Sequence, residues 1–277
     1  PLSYLGGNRL RMSEKDVFAT LPAGRRIWAV AAIHGEADRL CALHAELKER
    51  VAVGDTLIYL GNLMGHGDAV FQTINEILLF RRALLARPGA DSTDFVYLRG
   101  SQEEMWHRLL QAQFAINPKE VLTWMFDHGV EATVRAYGST ARDGLQAASR
   151  GARALTEWTS RLRAAMRTAD GHNALMSSLR RAALTEDRGL LLVNSGIDPS
   201  RPLSEQFDSF WWAGAAFESL NEPIGEFRRI VRGFDPRHKG VSVRDFAVSV
   251  DGGCGFGGPL TATCFDSRGE IVESLDA

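Results

Sequence analysis

Cysteine is scarce in this 277-residue chain: Cys41, Cys254 and Cys264 form no CxxC pair and are odd in number. A disulfide framework and a structural zinc site are therefore both excluded as expectations. No apolar run approaches the roughly 20 residues needed to span a bilayer, and Pro1 to Asp16 lack the charged-then-apolar order of a secretory signal, so a cytoplasmic address is expected. An excess of one charge is missing too. Lys and Arg total 32 against 34 Asp and Glu, a net charge of -2, which argues against a nucleic-acid partner. Internal repeats and low-complexity segments are absent. What remains is ordinary for a folded domain, with 45% hydrophobic and 24% charged residues.

The chain is long enough for one large α/β domain. Residues 1–24 carry Gly6, Gly7, Pro22 and Gly24 without a sustained period and read as an N-terminal arm, leaving 25–277 as the domain. Ile27 to Ile33 is an apolar run that empties into His34-Gly35, as a buried strand ending in a loop would. Ala37, Leu40, Cys41, His44 and Leu47 follow at helical spacing. The unit recurs twice: Leu57 to Leu60 ends at Gly61 with a helix through Phe71, Ile74, Leu78 and Leu85, and Phe95 to Leu98 ends at Gly100 with a helix through Met105 and Leu109. Such alternation predicts a mainly parallel sheet covered by helices, with its ligand crevice at the strand-end loops 31–35, 61–67 and 100–104. From about 111 to 188 the chain is rich in Ala, Arg and Leu and reads as a helical insertion. Within it, Ser139 to Arg188 carries nine Arg against five Asp plus Glu, an excess of +4. Leu190 to Val193 ends at Asn194-Ser195-Gly196 as another buried strand. The tail gives strands at 246–250, 260–265 and 271–275, the last two as a hairpin.

The loops also carry recognisable residues. They read Ala31-Ala32-Ile33-His34-Gly35, Gly61-Asn62-Leu63-Met64-Gly65-His66-Gly67, Gly100-Ser101-Gln102-Glu103, Asn194-Ser195-Gly196 and Gly233-Phe234-Asp235-Pro236. In order and spacing these resemble the GDxHG, GDxxDRG, GNHE, HAG-ending and GHTP motifs of calcineurin-like metallophosphoesterases of the bacterial serine/threonine phosphatase type. Further likeness lies in Gly129 to Gly138, in Gly196 to Leu203 and in the closing stretch from Asp251 to Ala262. The resemblance spans about residue 25 to the end and implies an αββα sandwich with a site along one edge.

What it implies about chemistry is loss. The family's reaction uses two divalent ions to activate water and neutralise a phosphoryl group. By the resemblance, the metal-ligand positions are Ala32, His34, Asn62, Ser101, Asn194 and Phe234, of which only His34 keeps the family residue. Asn62, Ser101 and Asn194 offer neutral oxygens without charge, and Ala32 and Phe234 offer nothing. The proton-donating histidine corresponds to Gln102, which does not titrate. Gly65 and His66 replace an orienting carboxylate and a phosphate-gripping arginine. No catalytic residue, no metal and no cofactor is therefore expected, and the chain reads as a pseudophosphatase that binds a protein partner or sits in a larger assembly.

Tyr4, Leu5 and Phe18 in the arm and Arg153, Arg161 and Arg167 in the basic helical stretch are the candidate partner-facing residues. The vacated crevice leaves room for a small molecule. The rival reading is a diverged phosphoesterase with one unconventional metal or none, in which His34, His66, Asp68, Glu103 and Asp235 gather at the crevice. Against it, His34 is expected to be held by hydrogen bonds to loop backbone, Glu103 and Glu104 to sit as favourable charge at a helix N-terminus, and Asp235 before Pro236 to form a turn.

Overall fold

In the strands of this chain, alternate residues serve two different cores. The structure, a computed structural model, describes residues 17–277. Strands β1 (Phe18–Leu21), β2 (Ile27–Val30), β3 (Thr56–Tyr59), β4 (Phe95–Tyr97), β5 (Ala182–Thr185), β6 (Leu190–Val193), β7 (Arg229–Arg232), β8 (Ser242–Val243), β9 (Ala247–Ser249), β10 (Thr261–Phe265) and β11 (Ile271–Asp276) build two sheets. One has the order β1-β5-β6-β7-β9-β8 and the other β11-β10-β2-β3-β4. Ile27 and Ala29 of β2, Ile58 of β3 and Leu190 and Leu192 of β6 point into a shared core between the sheets. Their neighbours Trp28, Val30, Leu57 and Tyr59 face a helical layer on one outer side, and Leu191 and Val193 face a smaller one on the other. This is why these strands read as unbroken apolar runs.

The first helical layer comprises α1 (Ala37–Arg50), α2 (Val70–Leu85), α3 (Ser101–Leu109), α4 (Pro118–Met125), α5 (Glu131–Ala136), α6 (Ala141–Ser149), α7 (Ala152–Thr168) and α8 (His172–Ser178); the second holds α9 (Ser209–Trp212) and α10 (Gly214–Glu218). β2, β3 and β4 pair in parallel, with α1 and α2 as crossovers. β10 runs antiparallel to β2 and forms the expected hairpin with β11. The αββα sandwich with a helical block is thus present.

Two boundaries differ from the sequence reading. The helical block ends at Ser178, and Ala182–Thr185 within the expected insertion is strand β5. Its alanines favour helix in isolation, but pairing on both sides, with β1 and β6, overrides that preference. Phe18–Leu21, expected in the arm, is likewise β1 at the sheet edge. Phe18 packs edge-on against the Phe210 ring at 5.9 Å and belongs to the sheet's outer core. Tyr4 and Leu5 lie outside the described residues. Arg153, Arg161 and Arg167 are exposed on α7; Arg153 pairs with Glu157 one turn on at 3.2 Å.

Candidate functional site

The strand-end loops after β2, β3, β4, β6 and β7 meet at one edge of the sandwich, as the topology requires. Ala32 N–H donates to the Gly233 carbonyl at 2.9 Å, and the Ile33 and His34 N–H groups both donate to the Asn62 carbonyl at 3.0 and 2.8 Å. The crevice is therefore stitched by backbone before any side chain acts.

Asn62 and Asn194 hold its floor. Asn62 is fully buried, and its Oδ1 accepts from Ser101 Oγ at 3.2 Å and from Gln102 N–H at 3.1 Å. Its Nδ2 has no partner among the described residues. Asn194 Oδ1 accepts from Ser101 N–H at 3.3 Å, while its Nδ2 donates to the Leu60 carbonyl at 2.8 Å. The carbonyl oxygens that could have served a cation are thus turned onto the N-terminus of α3. Glu103 beneath them is a structural clasp: one oxygen accepts from Asn62 and Gly100 N–H, the other from Leu63 and Met64 N–H, at 2.8 to 3.1 Å. Burial pushes its carboxyl up and these backbone donors pull it back. The expected helix-terminal role of Glu103 holds and is larger than the sequence suggested.

His34 departs from expectation. Its side chain is completely buried, yet neither ring nitrogen has a hydrogen-bond partner among the described residues, so backbone hydrogen bonds from the ring within that part of the chain do not hold it. Packing does. The rings of His66, Phe234 and Phe256 stand edge-on around it at 5.0, 5.1 and 5.2 Å, and His238 stacks on Phe256 at 3.7 Å. Burial pushes the His34 imidazole well below its ordinary value of 6.5, and His66 and His238 push the same way. Burial and His238 lower His66 too. A cluster of imidazole and phenyl rings occupies the space, and the donor set does not fit a pair of dications. Among the described residues no group of three or more His, Cys, Asp or Glu is placed to hold a metal ion.

The remaining candidates are scattered. Gln102 Nε2 donates to the His128 carbonyl at 2.8 Å, tying α3 to the turn after α4. A side chain at Gly65, where φ is +86°, would overlap Gln102 Oε1, so glycine there is what admits the glutamine. His66 packs against bare Gly129, where an added carbon would meet its ring at 2.7 Å. Asp68 points out of the crevice to Arg135 at 2.7 Å, its side chain 92% exposed. Asp235 is a turn former, as expected, accepting from Arg237 and Lys239 N–H at 3.0 and 3.1 Å. It also pairs with Arg232 at 3.0 Å, a side chain only 1% exposed. Sequence reasoning missed Phe256 and His238. An aromatic inside the glycine run 252–258 was the one visible signal, whereas nothing marked His238.

No family model and no curated protein matches the chain. Solved structures do. A structure described as a putative diadenosine tetraphosphatase is 18% identical over 94% of this chain and 98% of its own, with a TM-score of 0.56. A protein serine/threonine phosphatase from Saccharomyces cerevisiae is 14% identical over 95% and 84%, with a TM-score of 0.51. A cold-active protein tyrosine phosphatase is 13% identical over 95% and 83%, with a TM-score of 0.50. At these identities the likeness is one of fold, and the fold is the metallophosphoesterase-type α/β sandwich.

Proposed function

We infer that this protein is a pseudophosphatase: a phosphoesterase scaffold without two-metal hydrolysis, acting by contact with a protein partner. One observation carries the reading. The oxygens of Asn62 and Asn194 that correspond to metal ligands are spent on Ser101 and Gln102, and the ring of Phe234 lies against His34. Two dications here would lack any bridging carboxylate, a cost of many kcal/mol in a buried site.

The test has two arms. The purified chain is expected to contain no stoichiometric manganese, iron or zinc, to turn over no aryl phosphate in added manganese, and to melt at the same temperature with or without chelator. Near two ions per chain with turnover would overturn the reading. Asn62→Asp, which restores the bridging carboxylate, is expected to lower the melting temperature by several degrees because it places a second charge beside Glu103 without a counter-ion, and to gain no activity. In cells lacking the native gene, His34→Ala is expected to complement. Charge reversal at Arg153, Arg161 and Arg167, or removal of residues 1–16, is expected not to. The deletion stops at 16 because Phe18–Leu21 is β1. The opposite order of severity would favour residual crevice chemistry.

A further inference from the structure

A cavity of about 950 Å³ opens between the edge strands of the two sheets, lined by residues outside the crevice. Among the described residues β1 and β4 are the terminal strands of their sheets; the outer edge of β1 has no described strand beside it, whereas the end of β4 is taken up by Arg180, whose N–H donates to the Tyr97 carbonyl at 2.8 Å. Phe18, Ala19 and Thr20 of β1 and Phe95, Val96 and Tyr97 of β4 form two of its walls, and Leu78 and Leu85 of α2 with Leu175 of α8 supply apolar surface. Neither strand carries a proline, a lysine or any other charge, the usual devices that discourage a further strand from adding to an edge.

Two buried polar groups at this cavity lack a partner among the described residues. Tyr97 is 6% exposed, yet among the described residues its hydroxyl has no partner, and Arg81 Nε is also buried without one. The Arg81 guanidinium lies over the Phe95 ring at 5.9 Å, and Arg82 beside it is exposed. With Arg180 they make three arginines at the cavity against Asp170 as the lining acid. A buried hydroxyl without an acceptor costs free energy that a bound carbonyl or carboxylate would recover, and exposed arginine forks match carboxylates bidentately.

We propose that this cavity is a docking site for an extended, acidic segment of a partner protein, laid as an added strand along β1 with its carboxylates on Arg81 and Arg82. Main-chain pairing supplies affinity, alternate apolar side chains enter the wall of leucines, and the arginines select the sign of charge. Four residues of β1 span about 13 Å, which sets a recognised segment of roughly four to six residues. The site stands whether or not the crevice retains chemistry, so its test is separate from the one above.

The experiment uses the full chain on an array of hexapeptides in which Asp alternates with Val, Leu or Phe, beside a matched array carrying Lys for Asp. The best peptide is then titrated by fluorescence anisotropy. Saturable binding of acidic peptides is expected, at least tenfold tighter than their Lys counterparts. Arg82→Glu is expected to weaken it at least tenfold and Tyr97→Phe several-fold, with Arg82→Glu melting like the parent chain. No saturable binding, equal binding of both arrays, or binding unmoved by Arg82→Glu would overturn the proposal. So would full displacement by millimolar inorganic phosphate, which would mark a site for small anions only.

Discussion

Replacing Glu103 by Gln probes how the crevice is built, because the change is isosteric and removes only charge and acceptor capacity. The carboxylate accepts four backbone N–H bonds, two at each oxygen. An amide keeps one oxygen and turns an NH₂ group toward the other pair of donors. Two buried N–H groups then lose their acceptor, at about 1–3 kcal/mol each. Relief of a desolvated charge offsets part of this, leaving a loss of about 3 kcal/mol. For a domain of this size that corresponds to roughly 6–12 °C in melting temperature. Urea denaturation followed by circular dichroism gives the free energy directly. Amide exchange should accelerate at Asn62, Leu63, Met64 and Gly100 before it does elsewhere. Glu104→Gln is the matched control: its carboxylate pairs with Arg99 and Arg108 and accepts no backbone N–H from the second loop, so exchange at Asn62, Leu63 and Met64 should stay as in the parent chain. A Glu103→Gln variant within about 1 kcal/mol of the parent chain, or one with unchanged exchange in the second loop, would refute the clasp.

Gly65→Ala should destabilise by about 2–4 kcal/mol, since it adds both overlap with Gln102 and a left-handed alanine. Gln102→Ala should recover the steric part, so the double mutant should lose less than the sum of the two singles in thermal melts; strict additivity would contradict the contact. A fully buried His34 whose pKa is depressed stays neutral in the fold while the unfolded chain takes up a proton below about 6.5. Its contribution is therefore complete above that pH and is lost on acidification, at up to about 1.4 kcal/mol per pH unit until the folded value is reached. His34→Leu should flatten the stability profile below pH 6.5, by up to about 1.4 kcal/mol per pH unit, and an unchanged slope would show that His34 is protonated in the fold.

How far the sequence could be read follows from where each residue finds its partners. β2, β3 and β6 were legible because both of their faces are buried, which leaves an apolar run bounded by polar loops. β7 was not, because Arg229 and Arg232 bracket Ile230 and Val231 and give it a polar look. Arg232 is tolerated there only because Ser249, Glu218 and Asp235 bond it and the Phe217 ring lies 4.4 Å beneath it, partners 3 to 17 residues away. That Ala32, Asn62 and Phe234 bring no charged side chain to the crevice was readable position by position. What fills the crevice instead was not. The ring cluster draws Phe256 and His238 from separate loops, and such an arrangement has no sequence period to announce it.

His34, Asn62 and His66 share one feature whose consequence reaches beyond this chain. Each is a non-glycine residue in the left-handed region, with φ of 55°, 53° and 54°, a conformation that few side chains adopt without strain and that asparagine, aspartate and histidine adopt most readily. The bend in the main chain thus restricts the amino-acid alphabet at these positions independently of any reaction. A histidine or asparagine that recurs there among distant homologues is what the bend alone would select. Persistence of such a residue among homologues is therefore poor testimony for catalysis, and the positions free of this restriction, Ala32, Asn194 and Phe234, are the ones where the residue type carries more weight.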